Sequence, residues 1–161
     1  MTLYLMDANV PIRAHGDYYP LDRIAPFWEW LLAMAEAGHV KMPRQIYEEV
    51  AKSPDLLGQW LRRSEVRKAI ILAETTDMVA VQTVISQGYA ADLDDVELLT
   101  LTRDPFLVAA ALGGHDRVVV TREVSKPGKK RANRKVPDVC ATMSVGCIND
   151  FELWRRLNFR I

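Results

Sequence analysis

Cysteine and histidine are scarce in this chain, and neither sign of charge is in excess. There are two cysteines, Cys140 and Cys147, and three histidines among 161 residues. The cysteines form no CxxC pair, and no four-ligand zinc pattern can be assembled with the histidines. Both read as reduced core residues. The 21 basic and 21 acidic residues cancel. Overall charge therefore gives no sign of nucleic-acid binding, and any such case must rest on local clustering. Long apolar runs are missing as well. The opening MTLYLMDANV is apolar only briefly and meets Asp7 at once. It reads as neither a signal peptide nor a membrane span, so the expectation is a cytoplasmic protein with no membrane partner. No internal repeat and no low-complexity tract is visible.

What is present suits one folded domain over residues 1–161. Hydrophobic residues make up 49% and charged residues 26%, enough apolar surface for a real core. Leu3-Tyr4-Leu5-Met6 is a short apolar run that stops at Asp7, as a central parallel strand with a polar tip would. Gly16 to Pro20 reads as a turn. Phe27, Trp28, Leu31, Leu32 and Ala35 recur at helical steps within Ile24 to Ala37, and Gly38 sits where a C-cap glycine belongs. Val40 to Met42 reads as a short strand, and Pro43 opens a helix with Ile46, Tyr47 and Val50 on its apolar face. Pro54 to Gly88 reads as mostly helical, with Ala69 to Leu72 open between strand and helix end. Asp92 to Glu97 is an acidic segment. Asp104-Pro105 reads as N-cap and N1 of a helix through Leu112, ended by Gly113-Gly114. Arg117 to Thr121 is the clearest strand, β-branched and continuous. Val145 to Ile148 is a last strand and Phe151 to Leu157 a last helix. The alternation predicts an α/β fold of three layers, α/β/α, around a central parallel sheet of four or five strands.

In such sheets ligands bind beyond the carboxyl ends of the strands, and acids stand there. Asp7 ends the first strand and Glu123 follows the strongest one. Asp104 opens the helix that leads into that strand. Glu48 and Glu49 follow a short strand, and helical neighbours point about 100° apart, so one of the two faces solvent. Asp104 is equally a good helix cap, and Asp138 is open between helix cap and supporting acid. A set of oxygen ligands without histidine or thiol favours Mg²⁺ or Mn²⁺, the ions suited to phosphodiester hydrolysis. Lys126, Lys129, Lys130, Arg131, Arg134 and Lys135 crowd ten residues around Pro127 and Gly128. This basic loop would hold an RNA backbone, solubilise the chain, or meet an acidic protein partner.

At this point the chain resembles the PIN-domain nucleases. Leu5-Met6-Asp7-Ala8-Asn9-Val10 is similar to their first strand. Met42-Pro43-Arg44-Gln45-Ile46-Tyr47-Glu48-Glu49-Val50 is similar to their second acidic motif, a Glu followed by an aliphatic residue, which selects Glu49 over Glu48. Asp104-Pro105-Phe106-Leu107-Val108-Ala109-Ala110-Ala111 resembles the third motif, and Val118-Val119-Val120-Thr121-Arg122-Glu123 the fourth. Val145 to Asn149 resembles the closing strand. The likeness covers nearly the whole chain in order and spacing, with two departures: Glu123 stands where Asp is usual, and the basic insert follows it.

The resemblance implies a metal-dependent endoribonuclease in which Asp7, Glu49, Asp104 and Glu123 hold one or two Mg²⁺ or Mn²⁺ ions. Asn9, Thr121 and Asp138 would orient acids or water, and the cations of 126–135 would hold RNA. Hydrolysis would leave a 3′-hydroxyl and a 5′-phosphate. Many small members are toxins of toxin–antitoxin pairs, which implies an antitoxin as partner. The Trp28, Trp30 and Trp60 neighbourhood offers a face for a homodimer. The rival reading is a non-catalytic PIN-like binding module with a degenerate metal site. A phosphatase of the haloacid dehalogenase type needs Asp-x-Asp after the first strand, and Asn9 stands in the second position.

Overall fold

In the computed structural model, which describes residues 1–161, the opening apolar run forms strand β1 (Leu3–Met6). Helix α1 (Asn9–Arg13) follows and widens into a π-turn over Ala14–Tyr18. The expected turn at Gly16 is thus helical: Arg13 pairs with Asp17 one turn on, and Tyr19 N–H closes on the Ala14 carbonyl at 2.6 Å. Helix α2 (Ala25–Glu36) ends as expected at Gly38, whose φ of +85° a side chain would strain. Strand β2 (Val40–Lys41) leads to α3 (Arg44–Ala51). Three short helices come next: α4 (Leu56–Leu61), α5 (Ser64–Ile70) and α6 (Met78–Thr83), the last running into a π-turn over Val84–Tyr89. The open stretch Ala69 to Leu72 resolves both ways, since α5 ends at Ile70 and Ile71 bridges Met42 in parallel.

The acidic segment continues into a helix, α7 (Asp95–Leu101). Asp94 and Glu97 exchange side-chain and backbone bonds at its start, a capping box. Helix α8 (Asp104–Leu112) begins one residue earlier than expected. Asp104 is its first helical residue, Pro105 the second, and the cap position belongs to Arg103. Strand β3 (Arg117–Val120) is followed by the basic loop, a single 3-10 turn at Arg131–Asn133, and α9 (Val136–Thr142). Asp138 therefore lies inside the first turn of α9 and does not cap it. Strand β4 (Gly146–Ile148) and α10 (Asp150–Arg156), capped by the Asn149 side chain, complete the chain.

The four strands are all parallel in the order β2-β1-β3-β4, with helices layered against the sheet in an α/β/α fold. From β1 the chain crosses first to one side, to β2, and later to the other, to β3. The order therefore reverses between β1 and β3, and a crevice opens beyond their carboxyl ends. Trp28 and Trp60 are 2% and 5% exposed, edge to face at 4.9 Å, and Trp30 packs on Phe27, Trp154 and Phe159. Trp28 and Trp60 belong to the core and Trp30 is half-buried against it, so the expectation of a dimer face on Trp28 and Trp60 is corrected. The burial of these rings is the reason. Both cysteines are free thiols, Cys140 buried and Cys147 partly so. No helix is long and apolar enough to cross a membrane.

Candidate active site

The crevice between β1 and β3 is stitched together by side chains from both strand ends. Thr121 Oγ1 donates to Asp7 Oδ2 at 2.8 Å, and Ala8 N–H donates to Asp7 Oδ1 at 2.8 Å. Asn9 Nδ2 reaches both Asp7 Oδ2 and Thr121 Oγ1 at 3.2 Å, while Asn9 Oδ1 accepts from Arg122 N–H at 2.9 Å. Glu123 N–H donates to Thr121 Oγ1 at 3.1 Å, and Glu123 Oε2 accepts from Val136 N–H at 2.7 Å. Two residues at each strand tip thus lock Asp7 in place and tie Glu123 to the start of α9.

Asp7 is 5% exposed. Burial pushes its carboxyl up to about 6, with Glu123 and Glu49 adding repulsion against the bonds from Thr121 and Ala8. Asp104 makes no capping bond. Burial, then Asp7, Glu123 and Glu49, push it up to about 8, and Lys135 opposes them. The four acids expected from the sequence therefore share one electrostatic neighbourhood at the strand ends. Glu49 is half-buried toward it, whereas Glu48 is exposed. Glu49 also opens onto a shallow hollow that it shares with Lys52 and Arg103. No three of the molecule's His, Cys, Asp and Glu side chains stand in a ready-made metal cage. The donor set is all oxygen and mutually repelling, which fits a hard divalent ion drawing the acids closer. A cavity of about 170 Å³ beside Phe106 and Thr76 contains none of the four.

The basic loop divides. Arg131 is spent on Asp92 and Glu97, bonding both. Arg134 donates to the carbonyls of Gly88 and Asp138 and to Thr142 Oγ1. These two cations are engaged with other groups of the fold. Lys126, Lys129 and Lys130 are exposed and Lys135 half-buried, none within 4.0 Å of a carboxylate. Asp138 holds the loop instead of the acids: it accepts from Ser125 Oγ and, at 2.8 Å, from Lys126 N–H. The Ser125 bond, then the Lys126 bond, keep its carboxyl below the usual range.

Two residues here escaped the sequence reading. Tyr89 is 7% exposed, and its hydroxyl is buried without a hydrogen-bond partner. Burial first, then Asp104, Glu123, Cys140 and Asp7, push that hydroxyl far up. It stands protonated among the acids as an uncommitted donor. Gly88 permits this approach, because a Cβ there would fall 2.8 Å from Val139 Cγ1 of α9. Arg122 joins the buried Asp150 at 2.9 Å and lies over the Tyr18 and Phe151 rings. Its position between Thr121 and Glu123 fixes the turn that carries both.

One family matches residues 4–161, and it is described as a domain of unknown function, DUF4411. No curated protein matches the chain.

Proposed function

The chain belongs to the DUF4411 family, and from the geometry of its crevice we propose that it is a metal-dependent endoribonuclease of the PIN-like type. The observation that carries the reading is the convergence of Asp7, Glu49, Asp104 and Glu123, from four distant segments, on the crevice where the strand order reverses. Burial first, and repulsion from the neighbouring acids after it, hold Asp7 and Asp104 above the usual carboxylate range, an arrangement that a cation would relieve. Asp7, Glu49, Asp104 and Glu123 would hold Mg²⁺ or Mn²⁺, which supplies charge neutralisation on a phosphate and acidifies a water. Thr121 and Asn9 hold the Asp7 carboxylate in one orientation. Lys126, Lys129, Lys130 and Lys135 are the loop cations free to meet an RNA backbone.

The same proposal places the protein in the cytoplasm, as the toxin of a toxin–antitoxin pair. The exposed Val96 and Leu99, one turn apart on α7, are apolar surface that a partner protein would cover. A second reading, a PIN-like binding module without catalysis, draws on the absence of a closed metal cage and on the bond that ties Glu123 to Val136. Cleavage of single-stranded RNA decides between them. The wild-type chain cuts only with Mn²⁺ or Mg²⁺, and Asp7→Asn lowers the rate by at least about 100-fold without lowering the melting temperature in EDTA. Full activity in Asp7→Asn would sink the assignment.

A further inference from the structure

A second charged surface lies at the β2 edge of the sheet. Ile71, which bridges Met42 beside β2, forms part of the wall of a shallow hollow of about 460 Å³. Arg44, Arg62, Arg67 and Lys68 also line it, and no acid does. The molecule is neutral overall and its ion pairs take up seven other arginines. None of these four cations is within 4.0 Å of a carboxylate, although Glu48 and Glu65 lie nearby in the chain.

The hollow is built, not merely basic. Arg62 Nη1 is anchored on the carbonyl of Ala51 and, at 2.7 Å, on that of Ser53. Gly58 lets the Ser53 carbonyl approach, since a Cβ there would lie 1.9 Å from it. Arg67, Arg62 and Arg44 all act on the one Tyr47 hydroxyl, opposing the burial that pushes it up, so they converge from three elements. Arg67 and Lys68 also suit the last turn of α5, where cations favour the helix dipole. That accounts for neither Arg44 nor Arg62.

We propose that this hollow is a phosphate subsite that holds the backbone of the single-stranded RNA cut at the acidic crevice. The proposal rests on the nuclease reading. An open row of cations spread over three elements suits a chain of phosphates better than one enclosed anion. Helix α3 connects the two places, because Arg44 at its start and Glu49 are five residues apart, about 7.5 Å along and about 140° around the axis. A strand leaving the crevice past Glu49 and around α3 meets the hollow.

The test is fluorescence anisotropy of a labelled single-stranded RNA dodecamer on the full chain in EDTA, where no cleavage competes. Arg67→Glu with Lys68→Glu should weaken binding by about tenfold or more and reduce the salt slope by about 2. Arg67→Gln with Lys68→Gln should weaken it less; both pairs stay folded, the glutamate pair melting somewhat lower because it opposes the α5 dipole. Equal affinity in the wild type and both double variants overturns the proposal, as does a wild type that binds no RNA in EDTA. Inorganic phosphate serves as the second probe. If it displaces the RNA at millimolar concentration through the same residues, the site takes free phosphate and the backbone assignment is overturned. A wild type that binds RNA through the hollow but never cuts it with Mn²⁺ sinks the nuclease reading and keeps the subsite.

Discussion

Asp104 is the residue on which the electrostatics of the crevice turn. Its carboxyl rises from 3.8 to about 8, so the folded chain binds that proton more tightly than the unfolded one. By linkage, the fold loses stability as pH rises from about 4 toward about 8, and Asp7 adds to the loss up to about 6. In EDTA the melting temperature should fall across that window, and Asp104→Asn should flatten the fall because the variant has no proton to lose. A pH slope identical in the two proteins would contradict the assignment. At this scale much was legible. Asp7 stands out because an acid directly follows an apolar strand, and Val50 separates Glu49 from Glu48. Tyr89 was not legible: a tyrosine ending an apolar helical stretch carries no mark of where its hydroxyl goes. That depends on how closely Gly88 lets α9 approach. Nor do the cations of the basic loop show in the sequence which of them are spent. Arg131 finds Asp92 and Glu97 some 34 to 39 residues away.

At the scale of elements, strands were read more surely than helix starts. Continuous β-branched runs such as Val118 to Val120 need only their own pattern. Helix starts depend on competition among several polar residues. Asp104 and Asp138 both look like caps, yet α8 and α9 start with these acids already inside the first turn. This frees Asp104 from capping and leaves its carboxyl to the crevice. The connection into α8 carries strain. Thr102 ends α7 at φ 52° and ψ −119°, a region disfavoured for a β-branched residue. It lies two residues before Asp104. Thr102→Gly should relieve that strain and stabilise the fold by about 1 kcal/mol, read from denaturant midpoints at constant m-value. A destabilised glycine variant would contradict this account of the turn. The helix α7 itself was missed, although Asp94-x-x-Glu97 is the capping-box pattern that would have revealed it.

Over the whole molecule, zero net charge conceals a sorted surface. Acids gather where β1 and β3 end. Lys126, Lys129 and Lys130 lie in the loop that follows β3, and Arg44, Arg62, Arg67 and Lys68 gather at the β2 edge. Sheet order explains why the sequence could not display this. The four strands come in sequence as β1 to β4, and only the reversal of direction after β2 puts Asp7 beside Thr121 and Glu123 with cations to either side. The alternation of elements announced the α/β/α fold, while the side of β1 that β3 occupies is a matter of packing. The account's central claim is that the acidic crevice is a divalent-cation site. Its most direct test is thermal melting of the full chain at about pH 8 with increasing Mn²⁺, set beside Asp7→Asn and Asp104→Asn. The account predicts a saturable rise in melting temperature for the wild type that either substitution removes. A wild-type melting temperature indifferent to Mn²⁺, or an equal rise in all three proteins, would contradict it.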